Sequence, residues 1–367
     1  MEQQQLRDIV ALFATEGSIA EIKPLGEGLI NDTFLVRTAE TTAPDYVLQR
    51  INHHVFPDVE MVMHNIAAVT GHIRHKLEAQ GTPDIDRHVL TFIRLKDDAQ
   101  KLYVQKDGNF WRLMIFISNA ITKQAVNPES SRAAGLAFGN FQAMLSDLPV
   151  PLGETIPNFH NMEFRLQQLR QVVVEDPVGR VAEPEVQHLL REIEMRAVEM
   201  CKAERMGRED ILPKRICHCD TKVNNMLFDE NDNVLCVIDL DTVMPNFIFS
   251  DYGDFLRTAA NLVAEDCPDM DRVGFRMDIF RAFTEGYLQS ARSFLLPVEV
   301  ENLPYAVALF PYMQCVRFLW DYLSGDKYWK CQYATHNFVR ANNQFHLLKS
   351  IESHYDEMAA CIEAQKI

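Results

Sequence analysis

The stretch HCDTKVNNMLFDENDNVLCVIDLDT, residues 218–242, decides how this chain is read. It sets Asp220, Asn225 and Asp239 in order, the first two in a polar loop and the third at the end of the apolar β-type run 234–238. Phosphoryl transfer asks for little more: a carboxylate to orient the attacking hydroxyl, then an amide and a carboxylate to hold Mg²⁺ on the phosphates. The loop-then-strand context, followed by DYGDFLR at 251–257, is what gives such a motif weight. Kinase-type chemistry is therefore expected, with Asp220 as catalytic base and Asn225 and Asp239 as metal ligands. His218, two residues before the base, reads as a packing and hydrogen-bonding support.

Composition is compatible with this and excludes several classes. The 367 residues suffice for two lobes with their own cores, and 47% hydrophobic content is ordinary for a globular protein. A net charge of −16 with no Lys/Arg block argues against nucleic acid or anionic membrane as partner, so small ligands are expected. The start, MEQQQLRDIV, lacks the basic and apolar regions of a signal peptide, and the apolar run 306–320 is broken by Pro311, Gln314 and Arg317. A cytoplasmic location is expected. The eight cysteines are scattered, as free thiols in a reducing compartment are. Cys217, His218 and Cys219 do not make a zinc site, because a second pair at C-x-x-C spacing is missing.

The pattern changes near residue 118. Short alternating or apolar segments at 19–23, 34–37, 46–51, 89–95, 102–105 and 111–117 read as strands of one sheet, with a turn at 106–109. Residues 59–80 carry apolar side chains at helical spacing and end at Gly81. Helical patterns then prevail at 130–145, 163–174, 183–203, 271–289, 298–323 and 338–364, interrupted by loop and strand at 216–238. The expected fold class is α+β, a bilobal protein-kinase-like fold. Residues 1–117 form a small sheet-based nucleotide-binding lobe, and 118–367 a larger helical lobe for catalysis and substrate.

A second motif, LGEGLINDTFLV at 25–36, sets Gly26 and Gly28 between two expected strands, where backbone N–H groups can approach phosphate oxygens. Asn31, Asp32 and Thr33 add donors at the turn tip. A basic residue should reach the phosphates from a neighbouring strand, and YVLQRI at 46–51 offers Gln49 and Arg50 but no Lys. Alternation puts these two on opposite faces, and Arg50 is favoured because phosphate needs a cation; a solvent-facing Arg is the alternative.

HCDTKVNN followed by VIDLDTVMPNFIFSDYGDFLR resembles the aminoglycoside phosphotransferase family of small-molecule kinases. GEGLINDTF, YVLQRIN, IPNFHN at 156–161 and RFLWDYLSGDKYW at 317–329 extend the resemblance over nearly the whole chain. It implies a bilobal kinase-like fold, ATP and Mg²⁺ as cosubstrates, and phosphorylation of the anomeric hydroxyl of an N-acetylhexosamine. The β-strand Lys of the family is absent, and Asn246 stands where Gly is common. For the sugar, Arg317, Asp321 and Tyr322 are expected contacts, with His160 and Asn161 as companions. Arg317 and Asp321 are four apart and share a helix face, where a charge pair in apolar surroundings is costly unless it lines a binding site; an ordinary intrahelical ion pair is the alternative.

Neighbouring carboxylates are read separately. Asp241 follows Asp239 by two, so in an extended segment both face one way, and Asp241 is either a second metal or sugar ligand or a turn cap. Asp251 and Asp254 open a helix and support the catalytic loop. Three alternatives remain: a kinase of choline, homoserine or an aminoglycoside, a non-catalytic nucleotide-binding relative, and a haloacid-dehalogenase-type phosphatase. In the last, Asp239 is nucleophile and Asp241 acid/base.

Overall fold

The computed structural model of the chain describes residues 3–26 and 30–365, so Gly28 lies outside the described residues. Two compact units emerge. The first comprises Met1–Thr122, Asp147–Pro157 and Met226–Met244; the second comprises Lys123–Ser146, Asn158–Asn225 and Pro245–Ile367. The fold is kinase-like and α+β, an antiparallel sheet in the first unit and helices in the second.

The first unit is built on β1 (Ile19–Pro24), β2 (Asp32–Thr38), β3 (Tyr46–Ile51), β4 (Tyr103–Lys106) and β5 (Asn109–Ile115), in the order β1-β2-β3-β5-β4. The period of two sorts its faces. Ile22, Val36, Tyr46, Leu48, Trp111 and Leu113 form one apolar core with Leu6, Ile9 and Val10 of helix α1 (Gln3–Val10). Thr33, Gln49 and Arg112 are consecutive register partners on the other face. Helix α2 (Val59–Ala79) begins where the Asp58 carboxylate accepts the Met61 N–H, and buries Val62, Ile66, Val69 and Ile73. The β4–β5 turn has two consecutive positive φ values, 51° at Asp107 and 73° at Gly108, as a two-residue hairpin of right-handed twist requires.

Residues 89–95 do not form the expected strand. The edge of β5 is taken by β4 up to Arg112, and this segment meets β5 only beyond it, through Ile93 N–H to Leu113 O and Ile115 N–H to Thr91 O. Two isolated bridges remain, Phe13 to Leu95 and Phe92 to Met114.

The second unit holds α3 (Pro128–Leu145), α4 (Met162–Glu175), α5 (Pro184–Met200), α6 (Lys202–Arg208), β6 (Arg215–Cys217), α7 (Phe249–Ala259) and α8 (Met277–Ala291). It is completed by α9 (Pro297–Glu301), α10 (Leu303–Ser324), α11 (His336–Ser353) and α12 (Tyr355–Glu363). Three expected long helices are each divided, at Cys201, Asn302 and His354, where ψ rises to 13°, 9° and 9°. Glycines bring α3 and α8 into backbone contact: a Cβ on Gly286 would lie 2.0 Å from the Arg132 carbonyl oxygen. Helix α10 is apolar nearly all round and buried, yet no described helix is long and apolar enough to cross a membrane.

Candidate active site

The loop after β6 is shaped by one carboxylate. Asp251, in the first turn of α7, accepts the backbone N–H of His218 at 2.9 Å and of Cys219 at 2.8 Å. Gln142 of α3 donates to it at 2.8 Å, and Tyr287 of α8 donates to Gln142 at 2.6 Å. The Thr221 hydroxyl donates to the Asp251 carbonyl, also at 2.8 Å. Burial pushes the Asp251 carboxyl up, while the nearby His218 and these donors favour its charged form. Asp254 meanwhile pairs with Arg257, which also reaches Glu265. His218 is fully buried between Phe138 and Phe141, and its Nδ1 accepts the Asp220 N–H at 3.2 Å. That ring orients the loop.

Asp220 lies against Lys222, with Nζ to Oδ1 at 2.9 Å, and against Asn225, whose Nδ2 donates to Oδ2 at 3.1 Å and to the Asp220 carbonyl at 2.7 Å. Burial raises the Asp220 carboxyl, but the Lys222 charge and these hydrogen bonds outweigh it and hold the group below the usual carboxylate range. Lys222, two residues past Asp220, is a functional candidate that the motif reading passed over.

In the first unit, β7 (Met226–Phe228) and β8 (Val234–Val237) form a hairpin, and Asp239 follows β8 in the left-handed region at φ 61°. The next residues, 240–242, make a single 3₁₀ turn, so strand alternation does not apply. Asp239 is exposed and Asp241 is 2% exposed, which corrects the expectation that both face one way. Asp241 is held by Arg112 in a bidentate pair and accepts Asn31 Nδ2 at 2.7 Å. This is neither a metal ligand's setting nor a sugar ligand's.

The glycine-loop residues fall in the same unit. Gly26 has φ 70° and open space where a Cβ would project. Thr33 accepts Gln49 Nε2 at 3.2 Å, and Asn31 accepts the Asn52 N–H at 3.0 Å. Arg50 is turned to the α1 face, ion-paired with Asp32 and 3.5 Å from Asn109 Oδ1. It is Gln49 that shares a face with Arg112 and Asp241, so the strand's cation points away from the Asp239 turn.

Among the residues expected at the sugar, the structure makes a sharper division. The Asp321 carboxylate accepts the backbone N–H groups of Lys327, Tyr328 and Trp329 at 2.9–3.1 Å and Asn337 Nδ2 at 2.8 Å. It is fully buried, and Arg317 donates instead to Gln314 Oε1 at 3.0 Å. Asp321 thus organises the 327–329 loop, a correction to its reading as a sugar contact. Tyr322 donates to Glu183 Oε2 at 3.0 Å under the Arg180 guanidinium, and Asn161 caps α4 by accepting the Phe164 N–H at 3.0 Å. Both side chains are committed elsewhere. Arg317 and His160, by contrast, meet in one cluster. The Arg317 guanidinium lies 5.2 Å from the ring centres of both Phe159 and Trp329 and 6.0 Å from that of Tyr328, and His160 stacks on Phe159. His160 Nδ1 sits 3.1 Å from Ser250 Oγ. Burial and then the charge of Arg317 hold the His160 pKa well below its ordinary value, so the ring is neutral at pH 7. Arg165 donates to the Phe159 carbonyl at 2.8 and 3.1 Å; burial and Arg317 lower its pKa to about 9.

The sequence profile of the phosphotransferase enzyme family matches residues 21–290. The chain belongs to this family. Membership in the phosphotransferase enzyme family sets aside the dehalogenase-type alternative, in which buried Asp241 would also have had to act as acid and base. Solved structures share the fold. Choline kinase from Cryptosporidium parvum Iowa II is 14% identical with TM-score 0.60, each chain 99% covered. An aminoglycoside phosphotransferase from Alicyclobacillus acidocaldarius is 13% identical with TM-score 0.57, each chain 96% covered. Amicoumacin kinase hAmiN, solved with AMP-PNP and Ca²⁺, is 11% identical with TM-score 0.57, covering 100% of this chain and 94% of its own.

The donors present fit the cation that such chemistry uses. Among the described residues no group of three His, Cys, Asp or Glu side chains forms a metal cage. Mg²⁺ on phosphates needs none, since it keeps waters and takes one or two protein oxygens. In the second unit Asn225 turns its amide N–H to Asp220, so its oxygen is the atom it would offer a cation; in the first unit Asp239 would offer an exposed carboxylate.

Proposed function

We propose that the chain is an ATP- and Mg²⁺-dependent sugar 1-kinase acting on the anomeric hydroxyl of an N-acetylhexosamine, the activity of N-acetylhexosamine 1-kinase. The observation that carries the sugar assignment is Arg317 set among Phe159, Tyr328 and Trp329 in the same unit as Asp220. Aromatic faces suit the C–H faces of a pyranose, and a guanidinium suits the oxygen of an acetamido group. An acceptor that is itself a cation, such as choline or an aminoglycoside, would meet Arg317 and Arg165 here, while nearby Asp254 is already paired with Arg257. A neutral sugar is the better match.

In this reading Asp220 orients the acceptor hydroxyl and takes its proton as the oxygen bonds to the γ-phosphorus and ADP leaves. Lys222 keeps Asp220 ionised, and Asn225 and Asp239 would each offer an oxygen to Mg²⁺, which when bound would offset the phosphate charge. Gly26, Asn31 and Thr33 belong to the phosphate-side loop. Residues 1–117 serve as nucleotide-binding lobe and 118–367 as catalytic and substrate lobe, in a cytoplasmic protein. AMP-PNP and Ca²⁺ in the amicoumacin kinase support the nucleotide and divalent cation.

The test is an acceptor screen of purified protein with ATP and Mg²⁺, covering N-acetylglucosamine, N-acetylgalactosamine, choline, homoserine and an aminoglycoside. ADP release together with a sugar 1-phosphate identified by phosphorus NMR is the expected result. A higher kcat/KM for choline or the aminoglycoside overturns the sugar assignment.

A further inference from the structure

We infer that Arg112 and Asp241 form a positioning pair that locks the Asp239 turn and the exit of the glycine loop to one sheet face. The inference rests on the kinase reading of the chain. Strand β3 has no lysine, and its arginine, Arg50, is spent on Asp32 at the opposite face. Arg112 stands across from Gln49 on β5, is 2% exposed, and donates Nε to Gln49 Oε1 at 3.0 Å. Its two terminal nitrogens meet the two Asp241 oxygens, the fork geometry that a lysine cannot reproduce.

Asp241 lies inside the 3₁₀ turn that begins at Asp239, so a bidentate clamp on its carboxylate fixes the turn that presents Asp239. The same carboxylate accepts Asn31 Nδ2 at 2.7 Å, and Asn31 Oδ1 accepts the Asn52 N–H at 3.0 Å. The residue leaving the glycine loop, a central strand and the candidate metal turn therefore share one buried anchor. Stability alone is a weak reason to keep such a pair, because taking both charges out of water offsets most of their attraction. What an apolar pair of similar volume cannot supply is the directional grip on Asn31 and on the turn.

The experiment compares wild type, Arg112→Met, Asp241→Leu and the double variant by thermal unfolding and by calorimetric titration with Mg·AMP-PNP. Each single variant strands a buried charge and lowers Tm; the double variant removes both charges and recovers most of it. A positioning pair predicts that the recovered double variant binds Mg·AMP-PNP about 10–100-fold more weakly, as when the groups orienting a metal ligand are lost. Wild-type affinity in that folded double variant overturns the inference. Asn31→Ala keeps the ion pair and unhooks the loop, so it covers the case of a double variant that stays destabilised: about tenfold weaker Mg·AMP-PNP binding supports the anchor, and unchanged binding overturns it. Failure of the wild type to bind Mg·AMP-PNP is a different result, which removes the kinase reading itself.

Discussion

The carboxylate of Asp251 accepts the backbone N–H of Cys219 at 2.8 Å, fixing the residue immediately before Asp220. With the His218 N–H and the Gln142 amide on the same group, Asp251 sets the loop that carries Asp220. Asp251→Ala should lower kcat by about 100-fold, the cost of misplacing a reacting group by an ångström or so. It should leave the ATP KM within about twofold in steady-state kinetics, since its partners are in the loop. A folded Asp251→Ala protein with wild-type kcat would remove the loop-setting role.

Asp220→Ala tests the base directly. Loss of a general base costs about 10²–10⁴-fold in turnover, and nothing in the Asp220 contacts ties it to the glycine loop. Turnover should fall by at least about 100-fold while thermal shift by Mg·ATP persists, because binding to the native state alone raises Tm. Wild-type turnover would take the catalytic role away from this loop.

Cys219 carries the loop through φ 63°, unusual for a residue with a Cβ. Its thiol is buried, which pushes its pKa well up, so it should resist thiol-directed reagents in the native protein. Cys219→Gly should fold and retain turnover within a few-fold. Cys219→Val should destabilise by about 1–3 kcal/mol, since a β-branched side chain is least tolerant of this conformation. Equal Tm values for the two variants would mean that the backbone is not strained there.

The contrast between motif and partner explains what the sequence allowed. The assignment of Asp220, Asn225 and Asp239 rests on local spacing alone, while YVLQRI is legible as a strand because alternation and β-branching state one. Alternation also put Gln49 and Arg50 on opposite faces, but it does not say which face meets Asp241. That depends on Arg112, 129 residues away from its partner in the chain. Residues 89–95 look like a strand by composition and fail to be one because β4 already occupies most of the β5 edge. Asp321 shared a helix face with Arg317 as expected, yet its oxygens are consumed by a loop that no periodicity reveals.

Glu204 gives the pH dependence. Its Oε1 accepts the Met162 N–H at 2.6 Å, its Oε2 is buried without a partner, and burial raises its carboxyl from 4.5 to about 6. The folded state thus holds a proton that the unfolded chain releases, so stability falls as pH rises from 4.5 to about 6 and the penalty is complete above that. The shift corresponds to about 2 kcal/mol. Glu204→Gln cannot titrate, so its Tm measured relative to wild type should rise across this window and level off near pH 7. A constant difference from pH 4 to 7 would show that Glu204 is not the titrating group.

Trp329 and Asp321 separate contact from support at the proposed acceptor site. Trp329 packs beside Arg317, and loss of an aromatic partner of this kind is worth about 1 kcal/mol or more. Trp329→Ala should therefore raise the N-acetylglucosamine KM about five- to tenfold with the ATP KM unchanged, since 1.4 kcal/mol is a factor of ten. Asp321→Ala should raise the same KM, but through the loop: three backbone N–H groups lose their acceptor, and the Asn337 amide keeps only Asp326. Leaving buried donors unpaired costs about 1–3 kcal/mol each, so Tm must fall with it. A raised sugar KM at wild-type Tm in Asp321→Ala would return Asp321 to direct sugar contact, and a wild-type sugar KM in Trp329→Ala would move the acceptor away from this cluster.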